Sequence, residues 1–397
     1  MEKLILDNGL EVYLNEKPLG ETAVYLGINA GFLHSEIFET PHILEHMQGT
    51  KARVYGEKGV LNYVTANALT NYNRTIYYFE NILPEHAHKA LDNLCETMVS
   101  LNNNSLETEK NIIYHEFAPS NNPLYRLSEK NFSALFPRFF KKVPDMQTRI
   151  NLINNVHKDN VEKFWQEHYA PSNSFLCIAG EMPKTLDKNL KKFNSLKSNG
   201  KKSKKIEYED EIELKEHIEI KESVRDDDIA SIIIAYQSPP YPKINYKEFV
   251  AINFLSEYLS STSGILYGKL RDKHELCYSL NVVHDQNPGY SVFYFQTSTK
   301  PELCHKVESE WLGTIKEIAN NGVPNNFIET IKNKSKIIAL HMVRDFDLGS
   351  VISFMDHNLT HEDFLKEANN ITKEDIIKAA NLFANKPHII SIALPRK

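Results

Sequence analysis

The sequence predicts an α+β chain of two homologous domains in tandem, each an antiparallel sheet packed with helices. Two observations carry that expectation. Runs with period-2 alternation (Thr22 to Ile28, Ile229 to Tyr236, Tyr290 to Thr297) are interleaved with long amphipathic stretches. Hairpin-linked strands followed by paired helices give a sheet covered on one face. The chain also repeats itself once. Pro84-Glu85-His86-Ala87-His88-Lys89 recurs as Pro301-Glu302-Leu303-Cys304-His305-Lys306, and the helix-then-strand unit from Lys158 to Ala179 recurs from Lys373 to Ala393. The offsets, 217 and 215 residues, are nearly constant, as a duplicated domain requires. A lysine-rich run and then an acidic one separate the copies, which is linker composition. The expected division is 1–184, a linker at 185–216, and 217–397.

Composition narrows the function classes. The 397 residues are 41% hydrophobic and 25% charged, ordinary for a soluble protein. A net charge of −6 gives no electrostatic case for nucleic acid. The four cysteines, Cys95, Cys177, Cys277 and Cys304, have no C-x-x-C spacing, so reduced thiols are expected and neither a zinc ribbon nor a disulfide scaffold is. No stretch approaches ~18 apolar residues, and the first residues enter a strand pattern without a basic or apolar leader, so no membrane partner and a cytoplasmic location are expected.

Chemistry concentrates in His42-Ile43-Leu44-Glu45-His46. On a helix, positions four apart lie about 40° from each other and roughly 6 Å along the axis, so His42 and His46 can face one metal ion. Glu45 sits about 60° to one side, within the same arc. Neutral imidazoles suit zinc, and a carboxylate beside them is a proton acceptor for a water that zinc acidifies. Thr40-Pro41 reads as a helix start, Thr as N-cap and Pro as first helical residue. Ile43, Leu44 and Met47 supply an apolar face.

Catalytic zinc takes three protein ligands and keeps one position open. A second helical stretch, Ser105 to Phe117, carries Glu109 and Glu116. Seven residues are two turns, so these carboxylates share a face but stand roughly 10 Å apart and cannot both bind one ion. One could be a ligand while the other orients a histidine. His115, about 100° round from Glu116, reads as an ordinary, partly exposed histidine.

H-x-x-E-H is the inverzincin order, and with the E-x6-E stretch the chain resembles the pitrilysin/insulinase family of zinc peptidases, in particular its mitochondrial-processing-peptidase-like two-domain members. Further segments carry the resemblance. Leu6-Asp7-Asn8-Gly9-Leu10 is similar to the family's opening hairpin, and Asn67-Ala68-Leu69-Thr70 to its N-A-x-T strand. Leu270 to Ser279 is similar to the L-R-E-x-x-G-L-A-Y-S segment, with Glu275 where the family has Gly. The resemblance implies Glu116 as third ligand, Glu109 as supporting carboxylate, and Asn67, Ala68, Leu69 and Thr70 as a strand that pairs with extended substrate. It implies Arg271 and Tyr278 as the groups that hold the substrate carbonyl and the developing oxyanion.

The expected function is therefore that of a zinc metalloendopeptidase with one Zn2+ per chain and small or unfolded peptides as substrates. His42, His46 and Glu116 are its ligands and Glu45 its general base. In the family four such domains enclose a chamber; this chain has two, half a clamshell. The resemblance thus implies a homodimer, or a heterodimer with a related subunit, in which Arg271 and Tyr278 come from the partner copy. At the place matching the metal motif, the second half has Phe249-Val250-Ala251-Ile252-Asn253-Phe254-Leu255, an apolar helix with no ligands. The alternative is a non-catalytic or peptide-binding subunit of a related peptidase.

Overall fold

The computed structural model describes residues 2–18, 20–57, 65–102, 105–197, 200–287, 289–342 and 348–396. It is α+β, with two sheets packed with helices. The first contains β1 (Glu2–Ile5), β2 (Glu11–Glu16), β3 (Thr22–Ile28), β4 (Thr65–Thr70), β5 (Thr75–Ile82) and β6 (Ser174–Gly180), in the order β1-β2-β6-β3-β5-β4. The second contains β7 (Ile218–Arg225), β8 (Ala230–Gln237), β9 (Leu280–Asn287), β10 (Tyr290–Thr299) and β11 (Ile389–Pro395), in the order β7-β11-β8-β10-β9. Without β1, the two orders coincide strand for strand, so the repeat read from sequence is a repeat of topology.

Both sheets are antiparallel except at one pair. β6 runs parallel to β2, with Glu11 opposite Phe175, and antiparallel to β3, with Thr22 opposite Gly180. β11 relates to β7 and β8 in the same way. The reason is topological. The last strand of each repeat inserts between the two arms formed by its first strands, and those arms run in opposite directions. It must be parallel to one and antiparallel to the other. Local alternation carries no signal of such an insertion.

Local chemistry sets the elements. Gly9, at φ +87, takes the left-handed conformation of the turn between β1 and β2, and its N–H donates to the Leu6 carbonyl at 2.8 Å. Val24, Leu26 and Ile28 of β3, with Leu176 and Ile178 of β6, are fully buried in the first core. Against them pack Ile43, Leu44 and Met47 of α1 (Thr40–Glu57) and Leu91, Leu94 and Met98 of α2 (Ala87–Val99). The second core centres on Trp311, stacked on Phe295 at 4.7 Å, its indole N–H donating to the Tyr236 hydroxyl at 2.9 Å. Without that bond the buried indole would forfeit a hydrogen bond it makes with water when unfolded. The four cysteines are free thiols.

The division into units differs from the boundaries expected from composition. The first unit is built mainly from Met1–Ser120 and Met146–Glu207, the second mainly from Asn121–Asp145, Tyr208–Leu340 and Ser353–Lys397. After α3 (Leu106–Phe117), helix α4 (Pro123–Leu135) belongs to the second unit. Its buried Asn131 donates to the Ser391 hydroxyl of β11 at 2.8 Å. The expected linker 185–216 opens instead with a helix, Leu186–Asn194, docked on the first unit. Phe193 is buried in the first core, and the Asn8 amide donates to the carbonyls of Phe193, Asn194 and Leu196. Lysines on its outer face give that helix the composition of a linker, while Leu186, Leu190 and Phe193 give it an apolar stripe.

Gly180, at the end of β6, has φ +89, and a Cβ there would lie 2.2 Å from the Glu21 carbonyl oxygen. Gly180→Ala combines a left-handed conformation with a backbone clash, and a loss of at least about 2 kcal/mol is expected. A urea titration checks this; an unshifted midpoint would contradict it.

Candidate metal centre

Helix α1 begins one residue earlier than Thr40-Pro41 suggested. The Glu39 carbonyl accepts the first intrahelical bond, from Ile43 N–H at 3.0 Å, so the cap position is Glu39 and Thr40 is the first helical residue. The Thr40 hydroxyl is buried without a partner, so it does not cap. Proline is tolerated one position further in, since the first turn has N–H groups without intrahelical acceptors. The shift leaves the motif on the helix. Ile43, Leu44 and Met47 point into the core, while His42, Glu45 and His46 face α3 and the end of β4.

The ligand-type atoms converge. Glu116 Oε2 lies 3.4 Å from His46 Nε2 and 3.9 Å from His42 Nε2. One ligand-type atom from each of these residues falls within 4.8 Å of the others. A tetrahedral ion with bonds of about 2.1 Å spaces its ligands about 3.4 Å apart. The donor set, two imidazole nitrogens and one carboxylate, fits zinc in chemistry; the His46–Glu116 separation of 3.4 Å matches that spacing, and the His42–Glu116 separation of 3.9 Å is wider. The Glu116 side chain is 51% exposed, which leaves the site open on that side.

Each imidazole is backed by a carboxylate on its other nitrogen. His46 Nδ1 faces Glu109 Oε2 at 3.4 Å, and Glu109 is buried. His42 Nδ1 faces Glu39 Oε2 at 3.5 Å, and Glu39 is fully buried. Glu39 also accepts from Arg149 Nε at 2.5 Å and from its Nη2 at 3.4 Å. Carboxylates so placed fix the tautomer and ring orientation of a metal-ligating histidine. Glu109 is the residue that the resemblance implied as a supporting carboxylate, and it is the carboxylate that faces His46 Nδ1. Glu39 and Arg149 were missed. The i, i+3 spacing of Glu39 and His42 was the one signal available for Glu39; nothing local marked Arg149, which arrives from the helix Met146–Asn155.

Glu45 is 8% exposed and accepts from the Thr70 hydroxyl at 3.2 Å. Burial pushes its carboxyl above the ordinary range, more than His42, His46 and the Thr70 bond pull it down. For His46, burial disfavours the charged form, but the Glu116 bond and the nearby carboxylates outweigh it and the net shift is upward. The bond to His46 holds Glu116 below the usual carboxylate range against its partial burial. His115 is exposed, its ring edge-on to Tyr114.

The other site candidates fall on two elements. Asn67, Ala68, Leu69 and Thr70 lie on β4, which ends the first sheet and pairs with β5 on one side. Asn67 and Leu69 are exposed; Ala68 and Thr70 are half-buried. Arg271 and Tyr278 belong to the second unit. The Arg271 guanidinium lies 5.0 Å from the centre of the Tyr278 ring and donates to the Tyr267 hydroxyl, while Tyr278 is 81% exposed. Between them Glu275 adopts φ +52, the left-handed conformation that favours glycine, so the turn survives the Gly-to-Glu departure.

The helix Tyr246–Ser260 takes the corresponding place in the second unit. Val250, Ala251, Ile252, Phe254 and Leu255 are buried on it, and no second group of metal-ligating side chains occurs among the described residues. Asn253 instead faces His284 Nδ1 at 3.0 Å, and His284 Nε2 meets the Ser238 and Ser291 hydroxyls. Burial lowers the His284 pKa to about 4, so this is a neutral, hydrogen-bonded network.

Known proteins are similar to this chain in sequence over part of its length and in fold. A family model described as the peptidase M16 inactive domain matches residues 155–335, a span that contains none of His42, Glu45, His46 and Glu116. The uncharacterized zinc protease YmfH of Bacillus subtilis (strain 168) is 26% identical over 199 residues, 44% of this chain and 44% of that protein. The chain thus matches under half the length of this curated relative. A protease from Helicobacter pylori has the same fold at a TM-score of 0.83 and 19% identity, covering 99% of each chain. A peptidase M16 inactive domain from Pseudomonas fluorescens matches at 0.83 and 16%, covering 100% of this chain and 98% of that one. The periplasmic protease PqqL of Escherichia coli matches at 0.77 and 11%, covering 99% of this chain and 45% of that one. The structural matches show the fold; the family model and the curated relative support the pitrilysin (M16) family.

The burial of Glu39 makes a stability prediction. Arg149→Met leaves its carboxylate uncompensated and is expected to cost about 3–5 kcal/mol, whereas Glu39→Leu/Arg149→Met, which removes both charges, recovers most of that loss. Thermal unfolding of the two variants separates these outcomes; equal losses would show that the charge pairing is immaterial.

Proposed function

We propose that this chain is a zinc metalloendopeptidase of the pitrilysin family that cleaves small or unfolded peptides. The observation that carries the reading is the convergence of His42, His46 and Glu116, whose ligand-type atoms lie within 4.8 Å of one another, with the buried carboxylate of Glu45 beside them. His42, His46 and Glu116 would hold one Zn2+, which supplies the Lewis acidity that acidifies a water and polarises a carbonyl. Glu45 accepts the proton of the attacking water and passes it to the leaving amine. Its upward-shifted pKa, caused first by burial, suits a group that must take a proton and release it. Thr70 keeps one carboxylate oxygen oriented. The open edge of β4, at Asn67 to Thr70, receives the substrate as an added strand.

Arg271 and Tyr278 hold the substrate carbonyl and the oxyanion, supplied by the second half of a partner copy, so the working form is a homodimer, or a heterodimer with a related subunit. The mitochondrial-processing-peptidase-like branch and a cytoplasmic location are part of the same reading. No helix among the described residues is long and apolar enough to cross a membrane. A second reading, a non-catalytic or peptide-binding subunit, is favoured by the match of 155–335 to a domain described as inactive.

Glu45 separates the two. The wild-type protein is expected to carry one zinc per chain and to cleave a quenched peptide library. Glu45→Gln should retain the zinc and lose at least about 10²-fold in kcat. Metal analysis with peptide turnover checks this, and an active Glu45→Gln protein would remove the proposed base. Chelation should abolish cleavage and added zinc restore it. Tyr278→Phe is expected to lower kcat about 10-fold or more with the zinc content unchanged, the signature of an oxyanion contact. Sedimentation should give twice the chain mass; a fully active monomer contradicts the shared site.

A further inference from the structure

We propose that Glu39 and Arg149 are positioning residues for the metal, acting through His42; the inference rests on the metal centre described above. The argument starts from the two nitrogens of one ring. His42 Nε2 faces Glu116 and must be the lone-pair nitrogen for a metal to bind, so Nδ1 must carry the proton. Nδ1 is buried and has no hydrogen bond of ordinary geometry, and the carboxylate facing it is Glu39 at 3.5 Å. Drawing the ring a few tenths of an ångström toward that oxygen completes a charge-assisted bond.

Glu39 can serve only while it is held still. It is fully buried, and Arg149 holds it through two donors to its two oxygens, the pairing that a buried carboxylate requires. The guanidinium is itself confined by three aromatic faces, 4.9 Å from Phe32, 5.4 Å from Phe38 and 4.7 Å from Phe117. Phe32 and Phe38 stack at 4.7 Å with an interplanar angle of 4°. Phe117 follows the ligand Glu116 in sequence and stacks on the His42 ring at 5.6 Å. One cation therefore touches the support of the first ligand and the residue next to the third. It couples α1 to α3 from a third helix, independently of the Glu109 support on His46.

A purely structural ion pair would alter stability and leave metal affinity unchanged. The test measures both on the full chain, with zinc as the probe. Zinc dissociation constants come from chelator competition at fixed pH, and melting temperatures from the metal-free protein, for wild type, Glu39→Gln, Arg149→Lys and Glu39→Leu/Arg149→Met. Zinc affinity is expected to fall 10–100-fold in Glu39→Gln and in the double variant, with Arg149→Lys between these and wild type. The double variant removes both buried charges and keeps the measurement possible if a single variant fails to fold. Unchanged zinc affinity in the folded variants, beside a zinc-binding wild type, overturns the positioning role and leaves the metal centre standing. A wild-type protein that binds no zinc overturns the metal centre, and this proposal falls with it.

Discussion

The site depends on one electrostatic constraint: four carboxylates, Glu39, Glu45, Glu109 and Glu116, are gathered around two imidazoles, and three of the four are buried. Gathering like charges in a poorly solvated place costs free energy unless something compensates each of them. Each of the four has a partner. Arg149 meets Glu39, His46 Nδ1 faces Glu109, the two Nε2 atoms meet Glu116, and the Thr70 hydroxyl meets Glu45. Four carboxylates around one guanidinium and two imidazoles favour positive charge at the point where both Nε2 atoms and Glu116 converge. Burial pushes the Glu45 carboxyl upward, more than the neighbouring histidines and the Thr70 hydroxyl pull it down.

How much of this was legible in sequence follows from how local each feature is. His42, Glu45 and His46 could be read because helical geometry alone puts them on one arc. Glu116 could not be chosen over Glu109 by spacing, which allows either to be the ligand; only the resemblance implies Glu116. Glu39 and Arg149 escaped because their contact spans 110 residues and depends on where the helix Met146–Asn155 docks. The N-cap was misplaced because Thr-Pro is a strong local signal, but tertiary packing buried the Thr hydroxyl and let the helix begin earlier. The parallel strand pairs and the assignment of α4 to the second unit are likewise matters of long-range pairing, invisible to alternation.

The duplication gives an internal control on what His42, Glu45 and His46 do to a fold. The two sheets share a topology, so α1 and the helix Tyr246–Ser260 answer the same packing demand. In the second copy that demand is met by Val250, Ile252, Phe254 and Leu255, with Asn253 and His284 satisfying each other. The fold does not require ionisable groups at this place. Their presence in the first copy, with the desolvation they suffer, is a cost to stability that packing does not explain.

Thr70 joins Glu45 to the edge strand. Its hydroxyl reaches Glu45 from β4, whose outer edge is where an extended chain could add. A strand that pairs there is fixed in register by backbone hydrogen bonds, and register in a sheet is set in steps of one residue. A substrate bound this way would have its carbonyls placed relative to Glu45 by the same strand that orients the Glu45 carboxylate. Side-chain identity at the cleavage point would then matter less than the ability of the peptide to become a strand. Folded substrates, with their backbone already paired, could not use the edge, which accounts physically for the expected preference for small or unfolded chains.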